Sequence, residues 1–337
     1  MLVMAFETSC DDTSCAIVED GRQVLSNIVS DQDELHERFG GIVPEVACRA
    51  HIENILPVMR QAIDAAEMKL SSVDAVAVTN TPGLIGSLLI GLTAAKAVSW
   101  AFDLPLATVN HLEAHSYAPW LNGEPPPLPA IGLVVSGGHT NLSCIRGPLE
   151  HELLGATRDD AAGEAFDKVA NILKLGFPGG PVIEKTAENG DPEAVNFPRA
   201  WLNKDTLDFS FSGVKTAVLY HCLGQNASKD DIEDADYDPD FVANVAASFQ
   251  KAVVDVLIAK TKLALEKTGL QTLIVGGGVA ANKLLRQKLK ELTHDLSVDL
   301  FLAPLKYCRD NAAIVGGLAY HLLKAKNLAS LDAEAQP

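Results

Sequence analysis

Two histidines, His111 and His115, stand four residues apart. On a helix, positions i and i+4 project about 40° apart, so both imidazoles leave one face and can share a cation. The segment His111-Leu112-Glu113-Ala114-His115 invites comparison with the H-E-x-x-H of metalloproteases, whose glutamate follows the first histidine directly and acts as general base. Here Glu113 lies two residues on, roughly 200° around the helix, and points off the metal face. That geometry excludes peptidase chemistry. The same spacing also arises on helix faces that hold no metal, so the pair alone leaves both readings open. A third ligand has to come from elsewhere. Asp310-Asn311 sits between the last predicted strand and the last predicted helix, where a carboxylate can face a cleft. An aspartate before a helix is equally an ordinary N-cap.

Three turns at strand ends stand out, two of them glycine-rich and one polar. Ser136-Gly137-Gly138-His139-Thr140 follows the apolar run Ala130–Val135, and glycine lets backbone N–H groups approach an anion closely. A polar turn over Thr8–Thr13, between the β-like runs Leu2–Phe6 and Cys15–Val18, matches it in the first half. Gly276-Gly277-Gly278 with Asn282, after Leu273–Val275, is a third turn of a kind suited to a nucleotide. Each alone also serves as a plain turn; three at strand ends favour a nucleotide-shaped ligand. Gly163-Glu164-Ala165-Phe166-Asp167-Lys168 places Glu164, Asp167 and Lys168 on the opening turns of a helix, and Pro178-Gly179-Gly180-Pro181 reads as a rigid turn presenting backbone. Helix-dipole preference accounts for the acids equally well.

The elements that carry these residues follow from apolar periodicity. The spacing predicts helices over Val46–Ala66, Ser87–Ala101, Gly163–Leu173, Phe241–Lys267 and Asn311–Lys324, with one near His111 and one running through Leu289. It predicts strands at Val73–Val78, Ala107–Val109, Leu142–Ile145 and Leu300–Ala303. Both halves run strand, polar turn, strand, then strand–turn–helix units. A hairpin opening departs from a Rossmann domain, where the glycine turn leads straight into a helix. The order is that of an α/β fold of the duplicated actin-like, sugar-kinase-like ATPase type, two domains around a cleft. The expected division is 1–110, closed by the C-terminal helix at about 311–325, and 111–310, which carries an acidic loop at about 225–240. In that loop, seven acidic side chains between Asp230 and Asp240 read as a solvated, mobile segment.

The 337 residues fit about two domains. With Lys+Arg 27 against Asp+Glu 44, the formal charge is −17, which argues against a stand-alone nucleic-acid binder. Basic side chains expected near the cleft are few: Arg158, Lys168, Lys204 and Lys215. Six scattered cysteines without a C-x-x-C exclude a zinc ribbon and read as small thiols in a reducing compartment. The most apolar stretch, Leu84 to Leu104, carries Ser87, Thr93, Lys96, Ser99 and Asp103, against the largely apolar run that a span needs. The N-terminus lacks a basic n-region. The expectation is a cytoplasmic chain without a membrane partner.

Phe6-Glu7-Thr8-Ser9-Cys10-Asp11, Gly40-Gly41-Ile42-Val43-Pro44-Glu45, the His111–His115 segment, Val135-Ser136-Gly137-Gly138-His139-Thr140, the Gly163–Lys168 segment, Pro178-Gly179-Gly180-Pro181, Phe209-Ser210-Phe211-Ser212-Gly213, Gly276-Gly277-Gly278-Val279-x-Ala281-Asn282 and Asp310-Asn311 occur in this order. Together they resemble the family of TsaD and the KEOPS catalytic subunit, the tRNA N6-adenosine threonylcarbamoyltransferases formerly called O-sialoglycoprotein endopeptidases. The match runs from about residue 2 to 325 and leaves out the acidic loop and the C-terminal tail. The resemblance implies transfer of a threonylcarbamoyl group from threonylcarbamoyl-AMP to N6 of the adenosine 3′ of the anticodon, in tRNAs reading A-starting codons. It implies one divalent cleft metal per chain, usually Fe2+ and sometimes Zn2+, on His111, His115 and Asp310. Implied substrate contacts are Val134, Val135, Ser136, Gly137, Gly138, Asp167, Gly180, Glu184 and Asn282, and Asp11 falls on an acidic position implicated in activity. Implied partners are tRNA, a TsaB-like fold relative that forms a heterodimer with the N-terminal domain, and a TsaE-like ATPase that resets the complex. The helices near Val46–Ala66 and Ser87–Ala101 are the expected dimer face.

Several positions depart from the family pattern. Ala114 replaces a glycine between the histidines, Asp12 a glutamate and Cys48 a serine, while Arg309 and Ala312 replace a threonine and a glycine around Asp310-Asn311. Arg309 is expected to add a charge beside the metal aspartate. The implied chemistry suits the residues. The donor is a mixed carbamoyl–phosphate anhydride that expels AMP, whereas N6 is a poor nucleophile because its lone pair is delocalised into the purine. A cation can polarise the carbonyl, backbone N–H groups at Ser136–Gly138 can hold the phosphate, and Asp11 can accept the N6 proton. The alternative is a small-molecule kinase or ATPase of the same fold, which needs Mg2+ on carboxylates and water and has no use for a histidine pair. A non-catalytic scaffold needs none of these ligands.

Overall fold

The structure is a computed structural model that describes residues 1–200, 205–225, 231–232 and 235–337. Lys204, Asp230, Glu233 and Asp234 therefore lie outside the described residues. The first sheet holds β1 (Leu2–Glu7), β2 (Thr13–Glu19), β3 (Gln23–Ser30), β4 (Ala75–Thr81) and β5 (Leu106–Asn110), in the order β3-β2-β1-β4-β5. The second holds β6 (Ala130–Val135), β7 (Thr140–Gly147), β8 (Glu150–Ala156), β9 (Thr272–Gly276) and β10 (Asp299–Leu302). Its order, read from β8, is β8-β7-β6-β9-β10. In each sheet an antiparallel meander is extended by two parallel strands. The two halves thus repeat one topology, that of the duplicated actin-like fold.

In chain order the helices are α1 (Asp33–Glu37), α2 (Pro44–Ala65), α3 (Ile85–Phe102), α4 (His111–Tyr117) and α5 (Ala162–Ile172). They continue as α6 (Gly179–Ala187), α7 (Ser212–Leu223), α8 (Pro239–Thr268), α9 (Lys283–Leu296) and α10 (Ala312–Lys324). Successive side chains of a strand point to opposite faces, and β1 shows why its whole run is apolar. Met4 and Phe6 pack with Ile55, Val58, Leu92 and Ala95 of α2 and α3. Val3 and Ala5 face the other way, into the core that contains Ile314, Val315 and Leu318 of α10. Helices on both faces leave no polar side to the strand. Gly316 and Gly317 let α10 sink in: a Cβ on the first would crowd Val18 and Ala5, and one on the second the Tyr117 ring and Leu121.

Where the structure departs from the sequence expectations, the cause is local. β3 and β8 are half-exposed edge strands without a clean alternation. Pro178-Gly179-Gly180-Pro181 is not a free turn but the start of α6, with Pro178 as its N-cap residue. Part of the acidic run begins α8, since the Asp238 carboxylate accepts the N–H groups of Asp240 and Phe241. By length and composition α3 and α8 suffice to cross a membrane; α8 is mostly buried in this fold, and α3 lies against the first sheet. All six cysteines are free thiols. Beyond α10 the chain runs along the first sheet's edge, where Ala329 bridges antiparallel to Leu106 and the Ala333 carbonyl accepts from Lys96 Nζ at 2.6 Å.

The second sheet meets α4 closely at Gly276, where a Cβ would fall well inside van der Waals contact distance of the His115 carbonyl oxygen. Gly276→Ala must therefore push β9 and α4 apart. The expected loss is about 1–3 kcal/mol of stability, seen as a lower urea midpoint at an unchanged slope. An unchanged midpoint would show that this contact does not hold the two elements together.

Candidate active site

His111 and His115 leave the buried side of α4, and the short helix begins there because the Asn110 side chain accepts the N–H groups of Leu112 and Glu113 at 2.9 and 3.2 Å. One ligand atom each from His111, His115 and Asp310 lies within 4.8 Å of the others. Asp310 Oδ1 is 3.0 Å from His115 Nε2 and 3.5 Å from His111 Nε2. Glu113 is not in the cluster. The ordinary reading of Asp310 as a helix cap is overturned: Asn311 caps α10, accepting from the Ile314 N–H at 3.3 Å, which leaves Asp310 to face the histidines. Two imidazoles and a carboxylate suit Fe2+, Zn2+ or Mn2+. His115 Nδ1 is buried and has no hydrogen-bond partner among the described residues. The residues fit a divalent cation.

Sequence reasoning missed the group behind this cluster. Glu7, at the end of β1, is fully buried and places Oε2 3.0 Å from His111 Nδ1. A charged residue closing an apolar strand was its only signal. Burial alone disfavours the charged forms of Asp310 and His111, but their mutual attraction prevails. Asp310 is held well below the usual carboxylate range, by His111 first and His115 next, and His111 is raised to about 9 by Asp310 and Glu7.

The two hairpin turns converge on His111. From the first, Ser9 Oγ lies 3.2 Å from His111 Nδ1; from the second, the His139 ring is 6.4 Å from that of His111. Burial, then the charge of His111, push His139 down to about 4, so it is neutral at pH 7. The first turn is braced by side chains. Thr8 donates to the Ser87 carbonyl at 2.8 Å, and His51 bridges Thr13 Oγ1 and the Cys10 carbonyl at 2.8 and 3.0 Å. The second is braced by backbone, with the Gly163 and Glu164 N–H groups donating to the Ser136 and Gly137 carbonyls. Around it the surface is open: a Cβ on Gly137, Gly138, Gly180 or Gly278 would meet nothing within 4 Å. Gly137 does not require a positive φ, so its missing side chain matters for space alone. Val134 and Val135 are buried in β6 and carry this turn.

The remaining sequence-derived residues have structural partners. Asp167 Oδ1 accepts the Gly179 N–H at 2.8 Å at the start of α6. Glu184 Oε2 accepts the Lys283 N–H at 2.7 Å, and Asn282 caps α9 while donating to Gln250 Oε1 at 2.8 Å. These two side chains brace the third glycine turn. Asp11 is raised to about 6 by burial and then by Asp310. Arg309 pairs its guanidinium with Asp33 at 2.8 Å and Asp12 at 3.2 Å, and from there its charge also helps to hold Asp310 low, as expected of a cation beside that aspartate. The cations expected near the cleft are likewise engaged: Arg158 with Asp208, and Lys168 and Lys215 both with Asp160.

Burial raises Asp167 to about 6, against an ordinary value of 3.8, with the Gly179 N–H opposing the shift. The native state then binds the extra proton, so stability falls as pH rises between those values and stays reduced above them. Asp167→Asn can keep the Gly179 hydrogen bond without the charge. Its melting temperature relative to the unmodified chain is expected to be higher above about pH 7 than near pH 4. A difference independent of pH would mean that Asp167 is not the group responsible.

A family model described as "TsaD: tRNA N6-adenosine threonylcarbamoyltransferase" matches residues 23–316. The tRNA N6-adenosine threonylcarbamoyltransferase of Moorella thermoacetica is 47% identical over 340 residues, covering 99% of this chain and 96% of the relative. That of Symbiobacterium thermophilum is 48% identical over 336 residues, covering 100% and 96%. Among solved structures, component A of (R)-2-hydroxyglutaryl-CoA dehydratase from Acidaminococcus fermentans superposes with a TM-score of 0.52 at 15% identity, over 95% of this chain and 98% of that one. Full-length HypF gives 0.57 at 14% identity, over 100% of this chain and 47% of its own. These two likenesses bear on the fold alone. The extent and identity of the sequence matches decide the rest, and the chain belongs to the tRNA N6-adenosine threonylcarbamoyltransferase family.

Proposed function

We propose that this chain moves a threonylcarbamoyl group from threonylcarbamoyl-AMP to N6 of the adenosine 3′ of the anticodon, in tRNAs reading A-starting codons. The observation that carries the reading is the adjacency of the His111–His115–Asp310 cluster to an open glycine turn, joined by the short step from His111 to His139. In this reading one divalent metal, Fe2+ first and Zn2+ second, is held by His111, His115 and Asp310 and supplies Lewis acidity at the donor's carbonyl. Backbone N–H groups of Gly137 and Gly138 hold the donor's phosphate, and Asp167 and Gly180 contact it at the start of α6. Glu184 and Asn282 act through the turn they brace. N6 bonds to the carbamoyl carbon, the bond from that carbon to the phosphate oxygen breaks, and AMP leaves. Asp11, raised to about 6, is a stronger base than an ordinary aspartate and takes the N6 proton.

The charge of −17 and the internal ion pairs of Arg158, Lys168 and Lys215 leave few cations for tRNA phosphates. In this proposal partners supply that surface. α2 and α3 pack together and expose Ile52 (64%), Leu56 (54%), Ile85 and Leu89, an apolar stripe suited to a TsaB-like fold relative. A TsaE-like ATPase completes the assembly, and the setting is cytoplasmic.

The test is reconstitution with an A-starting tRNA, threonylcarbamoyl-AMP and the helper proteins, followed by mass spectrometry of the digested nucleosides. Threonylcarbamoyladenosine is the expected product; its absence with every component present would overturn the reading, and phosphorylation of a small molecule instead would favour a kinase. His115→Ala is expected to lower bound metal far below one per chain and abolish transfer, whereas Glu113→Gln keeps the metal. Loss of metal in both variants would refute the assignment of the helix face.

Gly137→Val puts a side chain into open space, so the fold should melt as before while calorimetric affinity for a stable donor analogue collapses. Unchanged affinity would remove this turn from the site.

A further inference from the structure

We propose that Glu7 is the positioning residue of the metal centre, holding His111 by its Nδ1–H so that Nε2 is the nitrogen presented to the cation. The inference rests on the metal reading above. Glu7 lies at the end of β1, fully buried, and each oxygen of its carboxylate is spoken for. Oε1 accepts the Ser9 N–H at 2.6 Å, and Oε2 accepts the Thr79 hydroxyl at 2.6 Å. Those two bonds fix the plane of the group. The third neighbour is His111 Nδ1, 3.0 Å from Oε2. An ionised carboxylate has no hydrogen to give, so the proton in this contact belongs to Nδ1. The opposite nitrogen, Nε2, then faces Asp310 at 3.5 Å, on the side where the ligand atoms gather.

The chemistry of the three donors says why the residue is a glutamate. The Ser9 backbone N–H can only donate, so Oε1 must accept. If a glutamine placed its carbonyl oxygen at Oε1, its NH2 would point at His111 Nδ1 and favour the tautomer with hydrogen on Nε2, where the metal binds. If it placed that oxygen at Oε2, the NH2 would meet the Ser9 N–H, donor against donor. Only a group that accepts at both ends satisfies Ser9 while keeping the proton of His111 on Nδ1. Among the described residues His115 has no such support: its Nε2 reaches Asp310, and its Nδ1 has no hydrogen-bond partner. The orientation of the pair is therefore anchored at His111. Partners of this kind commonly change metal affinity about 10- to 100-fold when removed.

The experiment uses the full chain, with Zn2+ as the probe in competition with a chromophoric chelator, for the unmodified protein, Glu7→Gln and Thr79→Val. The Glu7→Gln chain is expected to bind Zn2+ about 10- to 100-fold more weakly, and Thr79→Val, which removes one of the two pins, less so. Thermal melting of each chain without metal reports any general damage. Long-range 1H–15N spectra of the histidine side chains in the zinc-loaded unmodified protein give a readout that needs no variant: His111 should carry its proton on Nδ1 and its ligand on Nε2. Unchanged Zn2+ affinity in a folded Glu7→Gln chain would overturn the inference, as would spectra with Nδ1 as the ligating nitrogen. If Glu7→Gln does not fold, the spectra decide. A merely structural Glu7 would lower the melting temperature and leave the affinity of the folded variant alone. An unmodified chain that binds no Zn2+ or Fe2+ would instead refute the metal reading itself.

Discussion

Two carboxylates beside the same imidazole, one fully buried and one mostly so, are the constraint on which this molecule is organised. A buried, unpaired carboxylate costs several kcal/mol even after its surroundings relax. His111 stands between Glu7 and Asp310 and offsets that cost for both, with His115 helping at Asp310 and Ser9 and Thr79 at Glu7. The groups come from distant parts of the chain: the first strand, the helix after the first sheet, and the loop before the last helix. Close approach is therefore a requirement, and small residues meet it. Ala114 is fully buried within α4, Gly276 accommodates the His115 carbonyl, and Gly316 brings α10 onto Ala5 and Val18.

The duplication gives the two halves one topology but not one task. In the first hairpin turn Thr8, Ser9 and Thr13 are tied to Ser87, His111 and His51. That turn is rigid, and it aims polar groups at the histidine. In the second, glycines keep side chains out, and the helix behind it secures the backbone through the Ser136 and Gly137 carbonyls. In the proposed reaction one turn would support the chemistry and the other would admit the ligand. The asymmetry follows from residue type within an otherwise shared frame.

Much of this was legible before any coordinates. The His111–His115 pair needed only the helical period, and the central strands β1, β4, β6 and β9 announced themselves as apolar runs because helices cover both faces. Asp310 was harder, since a carboxylate before a helix has two ordinary uses; the presence of Asn311 one residue later resolved it, but only once the cap hydrogen bond was seen. Arg309 was legible in part. Adjacency in sequence suggested a charge beside Asp310, and its charge does act on that carboxylate. Its pairing with Asp33 on α1 and the turn residue Asp12 depends on the reach of a long side chain across the fold. The edge strands β3 and β8 were hidden by partial exposure, and α6 by the turn-like composition of its first residues. The role of Glu7 is not legible in sequence, because its partners Thr79 and His111 are brought to it by the fold.

The segment after α10 has a consequence for how copies or partners of this chain can meet. Strand β5 is one of the two edge strands of the first sheet, and such a strand offers a row of free backbone donors and acceptors to any extended chain that passes. Ala329 pairs with Leu106 on that border, and Lys96 and Asn80 fasten the residues that follow. The chain thereby hems its own sheet. Strand addition along this border would first have to displace that segment, whereas the helical flank, with its exposed Ile52 and Leu56, offers shape and apolar contact in place of a generic backbone ladder.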